Sequence, residues 1–540
     1  MSKRVRVAGS VTTKAAPELI DSGFQWENDD APYLHDGLNL ADIAHVMDLS
    51  RRGLLPAEAE RSLLAILLEV CEIEAEDFPY DPHLGEPYNS REHYFVERLG
   101  DTAGWLHAGR PRREAARIAL RLRLRRQLVD LVLDVVGFAQ QVCNRALEHA
   151  DTLMADQTYL QQAQPSTFGH YLLTFAQPAV RDAERLLLEL EQINASPGGA
   201  GCVNGTRLQD DRGYVAGLLG FDSVITHTRD AMWRVDDLIA LLATTTSVVS
   251  NLSKLAEDLE IFSSAEFDFV DLDDSFSRSS VLMPNKRNPY ALSIVRGASG
   301  VLIGRLSGFL AVTKSPSARS DNFIYAYGEV PRALDLAERV SALMAGVVRT
   351  LVVHSDRMLA ELDRGYAQST DLAEYFTVQR GVDYRTAYHV VGDAVRRASR
   401  EGIPGRLITA EIINSAAAAR TGTPWDITDE QLAEVVRPEA IVASRTAEGG
   451  AARALVIEGV ATTRARLDEL AARADRRIAD FDQVEVALLA RARAIVAAGS
   501  TQSAINQTSS IQTASSQTTA PKSTAPTSRR SDEPGDVRNT

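Results

Sequence analysis

The chain has 540 residues, 45% of them hydrophobic, with a formal net charge of −15. That length supports several domains and a large core, and the acidic balance argues against a sequence-independent grip on nucleic acid. Three scattered cysteines (Cys71, Cys143, Cys202) support neither a disulfide framework nor a structural zinc site, and the ten histidines form no H-E-x-x-H pair. With no phosphate-binding glycine motif either, the expectation is an enzyme or binding protein that works without metal or nucleotide cofactor.

In chain order, the N-terminus (Met1 to Val7) is basic but lacks an apolar segment, so no secretory signal is expected and a cytoplasmic location is the default. Shorter helices are expected at Leu38 to Leu49, Pro56 to Ile73 and Arg91 to Leu99. Long ones follow: Arg112 to about Ala150, Thr167 to Ile193, Thr228 to Ser263, Pro289 to Val312 and Pro331 to Val353. The run Leu238 to Ala243, flanked by Asp236-Asp237 and by threonines, reads as a buried helix rather than a membrane span. Thr370 reads as an N-cap opening a set of short helices that continue to about Ala498. Past Gly499 the composition turns to Ser, Thr, Gln, Ala and Pro, which cannot bury enough surface to offset chain entropy, so disorder is expected there.

These elements predict an all-α protein: a central bundle of long helices (111–360) between smaller helical domains (1–110 and 361–498), with a disordered tail (499–540). Helices this long must bury a broad face, and the surplus apolar surface predicts a homo-oligomer.

One short segment carries the chemistry. Ser279-Ser280-Val281-Leu282-Met283-Pro284-Asn285-Lys286-Arg287-Asn288-Pro289 holds a hydroxyl, a cation and an amide within eleven residues. Pro289 suits a first helical turn, which makes Asn288 the expected N-cap and the helix start an anion site beside Lys286. By itself such a cluster is more often an ordinary capped loop. It resembles, however, the G-S-S-x-M-P-x-K-x-N-P loop of the fumarase/aspartase superfamily, with Met283, Pro284, Lys286, Asn288 and Pro289 in register. Ser280 falls on the family's catalytic serine, while Ser279 and Val281 depart from the pattern.

Within that superfamily the chain is most similar to argininosuccinate lyase over about residues 30 to 495. Leu106 through Arg112, Gln164 through His170, Leu252 through Leu259, Thr370 through Ala373 and Ala443 through Thr446 carry the likeness. The resemblance implies a homotetramer whose active sites are shared between subunits, and a lyase that releases fumarate from argininosuccinate or another N-substituted aspartate, in the chemistry of arginine biosynthesis. Ser280 is the implied base, and Lys286 and Asn288 the implied binders of a dicarboxylate-type substrate. His93, Arg112, Arg113, Thr158, Gln164 and Asn322 are further implied substrate contacts, His93 with a structural role equally open.

The departures fall on the leaving-group side. The family's acid–base His is Tyr159 here, and its Glu partner is Ser293. Tyr159 either donates a proton or merely fills the space. Pro111 and Arg113 stand where the family has a hydroxyl and an amide, and the run from Asp321 to Tyr327 keeps Asn322 but loses the family's Tyr and Gln. Two alternatives follow: a relative with another leaving group, or a non-catalytic protein that keeps the fold.

Overall fold

The computed structural model describes residues 13–316 and 321–515; within these, the side chains of residues 321, 322 and 499–515 are not described. The helices α1 (Ala31–Arg51), α2 (Ala57–Val70) and α3 (Pro87–Leu99), with shorter helical segments around them, precede α4 (Arg112–Glu148). The hairpin β1 (Leu153–Thr158) and β2 (Gln161–Thr167) comes next, then α5 (Phe168–Ile193) and α6 (Asp236–Phe262). The two-residue strands β3 (Arg278–Ser279) and β4 (Arg287–Asn288) form the neck of a loop, followed by α7 (Tyr290–Thr313) and α8 (Glu329–Thr350). Three helices, α9 (Ser369–Arg380), α10 (Tyr384–Glu401) and α11 (Ala410–Thr421), build a separate small core, and α12 (Arg453–Ser515) returns along the molecule.

The main core joins Leu128, Val132 and Phe138 of α4 to Leu186 of α5, Leu255 of α6, Leu334 of α8 and Leu470 of α12. Its helices alternate in direction. Near the start of α4, Arg121 donates to the carbonyl of Ile193 at 3.2 Å and pairs with Asp237 at 2.6 Å, so α5 ends and α6 begins there. Arg117 lies over the Tyr327 ring at 4.7 Å, which brings the approach to α8 to the same place. At the far end of α4, His149 meets Phe168, Tyr171 meets Phe262, and Arg145 donates to the Leu351 carbonyl. The bundle therefore has a first end, where α4 starts, and a second end, where it finishes. Close approach needs a glycine at the α1–α4 crossing: a Cβ on Gly37 would sit 2.5 Å from the Ala119 Cα.

The long helices match the expected spans to within a few residues, with four corrections. The helix expected from Thr228 to Ser263 is broken into Thr228–Trp233 and α6. The Met232 carbonyl, which a continuous helix would offer to residue 236, instead accepts Arg117 Nε at 2.7 Å. Thr370 lies inside α9, whose flanking residue is Gln368, and makes no cap. The short helices expected up to Ala498 give way to the continuous α12. Its buried residues Val456, Val460, Leu467, Leu470, Ala474, Phe481, Leu488 and Ala492 recur at spacings of a single helical stripe, with no proline between them. Asn288 is the fourth and is treated with its loop below. The expected disorder of the tail concerns 499–540; the backbone of α12 stays helical to Ser515, and the rest lies outside the described residues.

Among the described residues two helices, α6 and α7, are long and apolar enough to cross a membrane by length and composition, where the sequence pattern suggests none. Half of the apolar window of α6 is buried inside the bundle, but only 28% of that of α7, which leaves Ile294, Val301, Ile303 and Leu310 exposed.

Candidate active site

The loop between β3 and β4 is built at the second end. Its approach strand, Val270–Asp271, pairs with Val352–Val353 just past α8, and Arg287 ties the neck down through Asp271 at 2.9 Å and Asp274 at 2.8 Å. Within the loop the Ser280 hydroxyl accepts the Met283 N–H at 3.0 Å, while the Ser280 N–H donates to the Lys286 carbonyl at 3.1 Å. Ser280 and Lys286 are therefore held in one closed turn. Val281, Leu282 and Lys286 project into the open.

Asn288 does not cap the following helix. It belongs to β4, its amide donates to the Arg278 carbonyl at 3.0 Å, and the residue flanking α7 is Pro289, with no side-chain cap. The backbone ladder of the neck holds Asn288 in extended conformation, so the free N–H groups of α7 stand one residue beyond it. Ser293 is exposed on the first turn of α7.

Tyr159 and Leu160 form the two-residue tip of the β1–β2 hairpin, both with positive φ (54° and 58°), as a tight hairpin of this hand requires. That backbone is costly for residues other than glycine. Tyr159 is 99% exposed, Thr158 closes β1 beside it, and Gln164 is exposed on β2 opposite Asp156. His170, one turn into α5, bonds Ser166 at 3.2 Å and the Gly449 carbonyl at 3.0 Å, which is a structural bridge.

The remaining predicted residues gather at the first end. Arg112 and Arg113 open α4, Arg112 paired with Glu86 at 3.3 Å. Behind them Asp42 is buried between Arg91 (2.9 Å) and Arg110, with the Tyr88 hydroxyl donating to it at 2.8 Å; the two guanidinium groups hold its carboxyl below the usual range despite full burial. This network fixes the start of α4. His93 is half-buried on α3 and paired with Glu97 at 3.2 Å. Asn322 falls in the short helical turn Asp321–Tyr325, and its side chain lies outside the described residues.

A single chain thus brings Ser280, Lys286, Asn288, Thr158, Tyr159 and Gln164 to one end of the bundle, and Arg112, Arg113, His93 and Asn322 to the other. Arg113 lines a cavity of about 80 Å3 with Glu27, Asp30, Glu86, Arg117, Tyr327 and apolar side chains. Burial raises the Asp30 carboxyl to about 6 even though Arg332 holds it at 2.6 Å. Neither Arg117 nor Tyr327 was singled out from sequence. The available signal was spacing, since Arg117 lies four residues after Arg113 on the same helix face. Among the described residues no group of three or more His, Cys, Asp or Glu side chains could hold a metal ion.

The chain is similar to known proteins along most of its length. The lyase family profile matches residues 52–304, and the argininosuccinate lyase C-terminal profile matches residues 366–443. The argininosuccinate lyase of Methanoculleus marisnigri is 32% identical over 415 residues, 76% of this chain and 83% of that one. That of Oceanobacillus iheyensis is 31% identical over 462 residues, 85% of this chain and 98% of its own. Among solved structures, an EDDS lyase variant with bound fumarate superposes with a TM-score of 0.81 at 27% identity, covering 90% of this chain and 97% of that one.

Proposed function

Because the chain belongs to the argininosuccinate lyase family of the fumarase/aspartase superfamily, and is a carbon–nitrogen lyase, we propose that it eliminates fumarate from an N-substituted aspartate with Ser280 as the base. In this reading Lys286 and Asn288 bind the carboxylate next to the reacting carbon and take up the charge of the enediolate-like anion. The β-proton passes to Ser280 Oγ, its electron pair forms the double bond of fumarate, and the C–N bond breaks with its pair on nitrogen. That nitrogen then takes a proton, for which Tyr159 is the proposed donor. The observation that carries the reading is the closed turn joining Ser280 to Lys286: the Met283 N–H aimed at Ser280 Oγ stabilises negative charge on that oxygen.

Completing the site requires other copies of the chain, because the residues lie at opposite ends of one bundle. The exposed apolar face of α7 supports such an assembly, and a cytoplasmic homotetramer with shared sites is part of the same proposal. Argininosuccinate is one candidate substrate. The replacements at Tyr159, Ser293, Pro111, Arg113 and Ala326 favour a different leaving group.

The test is ultraviolet absorbance of fumarate when purified protein meets argininosuccinate and a panel of N-substituted aspartates. Turnover of at least one, abolished by Ser280→Ala in a folded oligomer of unchanged mass, is expected. Absence of fumarate from the whole panel sinks the substrate reading, and full activity of the Ser280→Ala protein sinks the base.

A further inference from the structure

The turn that carries Asn322 is gripped from outside by the N-terminal segment of the same chain. Asp321–Tyr325 is a short helical turn in the connection between α7 and α8. On its inner side Phe323 is buried and meets the Tyr327 ring at 5.5 Å, and the Phe323 carbonyl accepts the Ala326 and Tyr327 N–H groups. On its outer side the Tyr325 hydroxyl donates to the Ser22 carbonyl at 2.6 Å, and the Tyr325 ring meets the Trp26 ring edge-on at 5.3 Å. Tyr325 is 43% and Trp26 42% exposed, so either side chain can be removed without opening the core.

The contacts continue in register beyond that pair. Asp30 lies against Gly328, where a Cβ would collide with its carboxylate, and reaches Arg332 at 2.6 Å. Tyr33 donates to Asp335 at 3.0 Å. From Ser22 to Tyr33 the segment therefore runs alongside Tyr325 to Asp335 in the same chain direction, as a strap. Charge does not decide its grip, because burial raises the Asp30 carboxyl to about 6 against the pull of Arg332 and so offsets the ion pair. The uncharged contacts of Tyr325 hold the turn itself. Together a hydrogen bond and an edge-on aromatic pair favour the held turn by roughly a factor of ten.

We infer that Tyr325 is a positioning residue for substrate binding: by clasping Ser22 and Trp26 it fixes the backbone of the turn that carries Asn322. The inference rests on the reading that Asn322 contacts substrate. It goes beyond it by naming the side chain and the segment that hold that contact in place.

The experiment follows fumarate release from the N-substituted aspartate that the parent turns over best, in parent, Tyr325→Ala and Trp26→Ala. Each variant should raise KM by roughly tenfold with kcat kept, the pattern of lost uniform binding, in an oligomer of parental mass. Tyr325→Phe, which keeps the ring against Trp26, should raise KM less, by roughly threefold. In an Asn322→Ala background the Tyr325→Ala change should add little, because both act through one contact. Parental KM in Tyr325→Ala, or full additivity of the two changes, overturns the inference while leaving the lyase reading intact. If the parent releases no fumarate, the reading of the site fails, and the strap is decided by hydrogen exchange of the Ala326 and Tyr327 amides in parent and Trp26→Ala. Faster exchange in the variant upholds the hold on the turn, and equal exchange overturns it.

Discussion

Lys286→Met removes a cation at the second end of the bundle, and Arg113→Met removes one at the first. The two ends of one chain are separated by α4, whose 37 residues at about 1.5 Å each span roughly 55 Å. No N-substituted aspartate reaches across that distance, so any site using both residues draws them from different copies. Each variant alone should therefore be inactive at every site. In an oligomer assembled from equal amounts of the two, each contribution to a site is intact half the time, and roughly a quarter of the sites receive both. The assay is to denature the two variants together, refold, confirm the parental mass by gel filtration, and measure fumarate release at saturating substrate. Recovery to about a quarter of parental turnover is expected. A mixture no more active than the two separate proteins would show that the working site lies within one chain, and the division of the site between ends would be wrong.

Asp42→Asn should lower the denaturant midpoint by the equivalent of about 3–5 kcal/mol, because it leaves Arg91 and Arg110 buried without their carboxylate; a loss under about 1 kcal/mol refutes the network's role. Burial raises Glu114 to about 7 against the pull of the Gly199 N–H and Arg110. Folding therefore favours its protonated form, and that stability is complete below about pH 4.5 and lost as pH rises through about 7, some 3 kcal/mol in all. Denaturant midpoints at about pH 5 and about pH 8 should differ less in Glu114→Gln than in the parent, and equal slopes refute the assignment. Val301→Glu combined with Ile303→Glu places charge on the exposed face of α7 and should reduce both the oligomer mass and turnover; unchanged mass removes that face from the interface. Truncation after Ala498 keeps Leu488 and Ala492 in the core they share with α2, so oligomer and melting should be unchanged, and a shift in either would assign the tail a docking role.

Local periodicity made the helices legible, since a stripe of Leu and Val at helical spacing must be buried wherever it lies. The eleven residues around Ser280 stood out for a different reason, their match to a family loop, since the cluster by itself reads as an ordinary capped loop. The periodic signal also runs through α12, where Val456, Val460, Leu467, Leu470, Ala474, Phe481, Leu488 and Ala492 form one buried stripe.

Other features were settled only by contacts between segments far apart in sequence. The break before α6 is made by Arg117, 115 residues upstream of the Met232 carbonyl it captures, and Asn288 leaves its expected cap for the Arg278 carbonyl across the loop neck. The family resemblance could propose Arg113 and Ser280 as parts of one site. It could not show that α4 holds them at opposite ends, or that Arg117 and Tyr327 meet over one cavity. Helix periodicity is a property of neighbouring residues, whereas the matching of donors to acceptors depends on which helices lie side by side, and that is fixed only when the bundle packs.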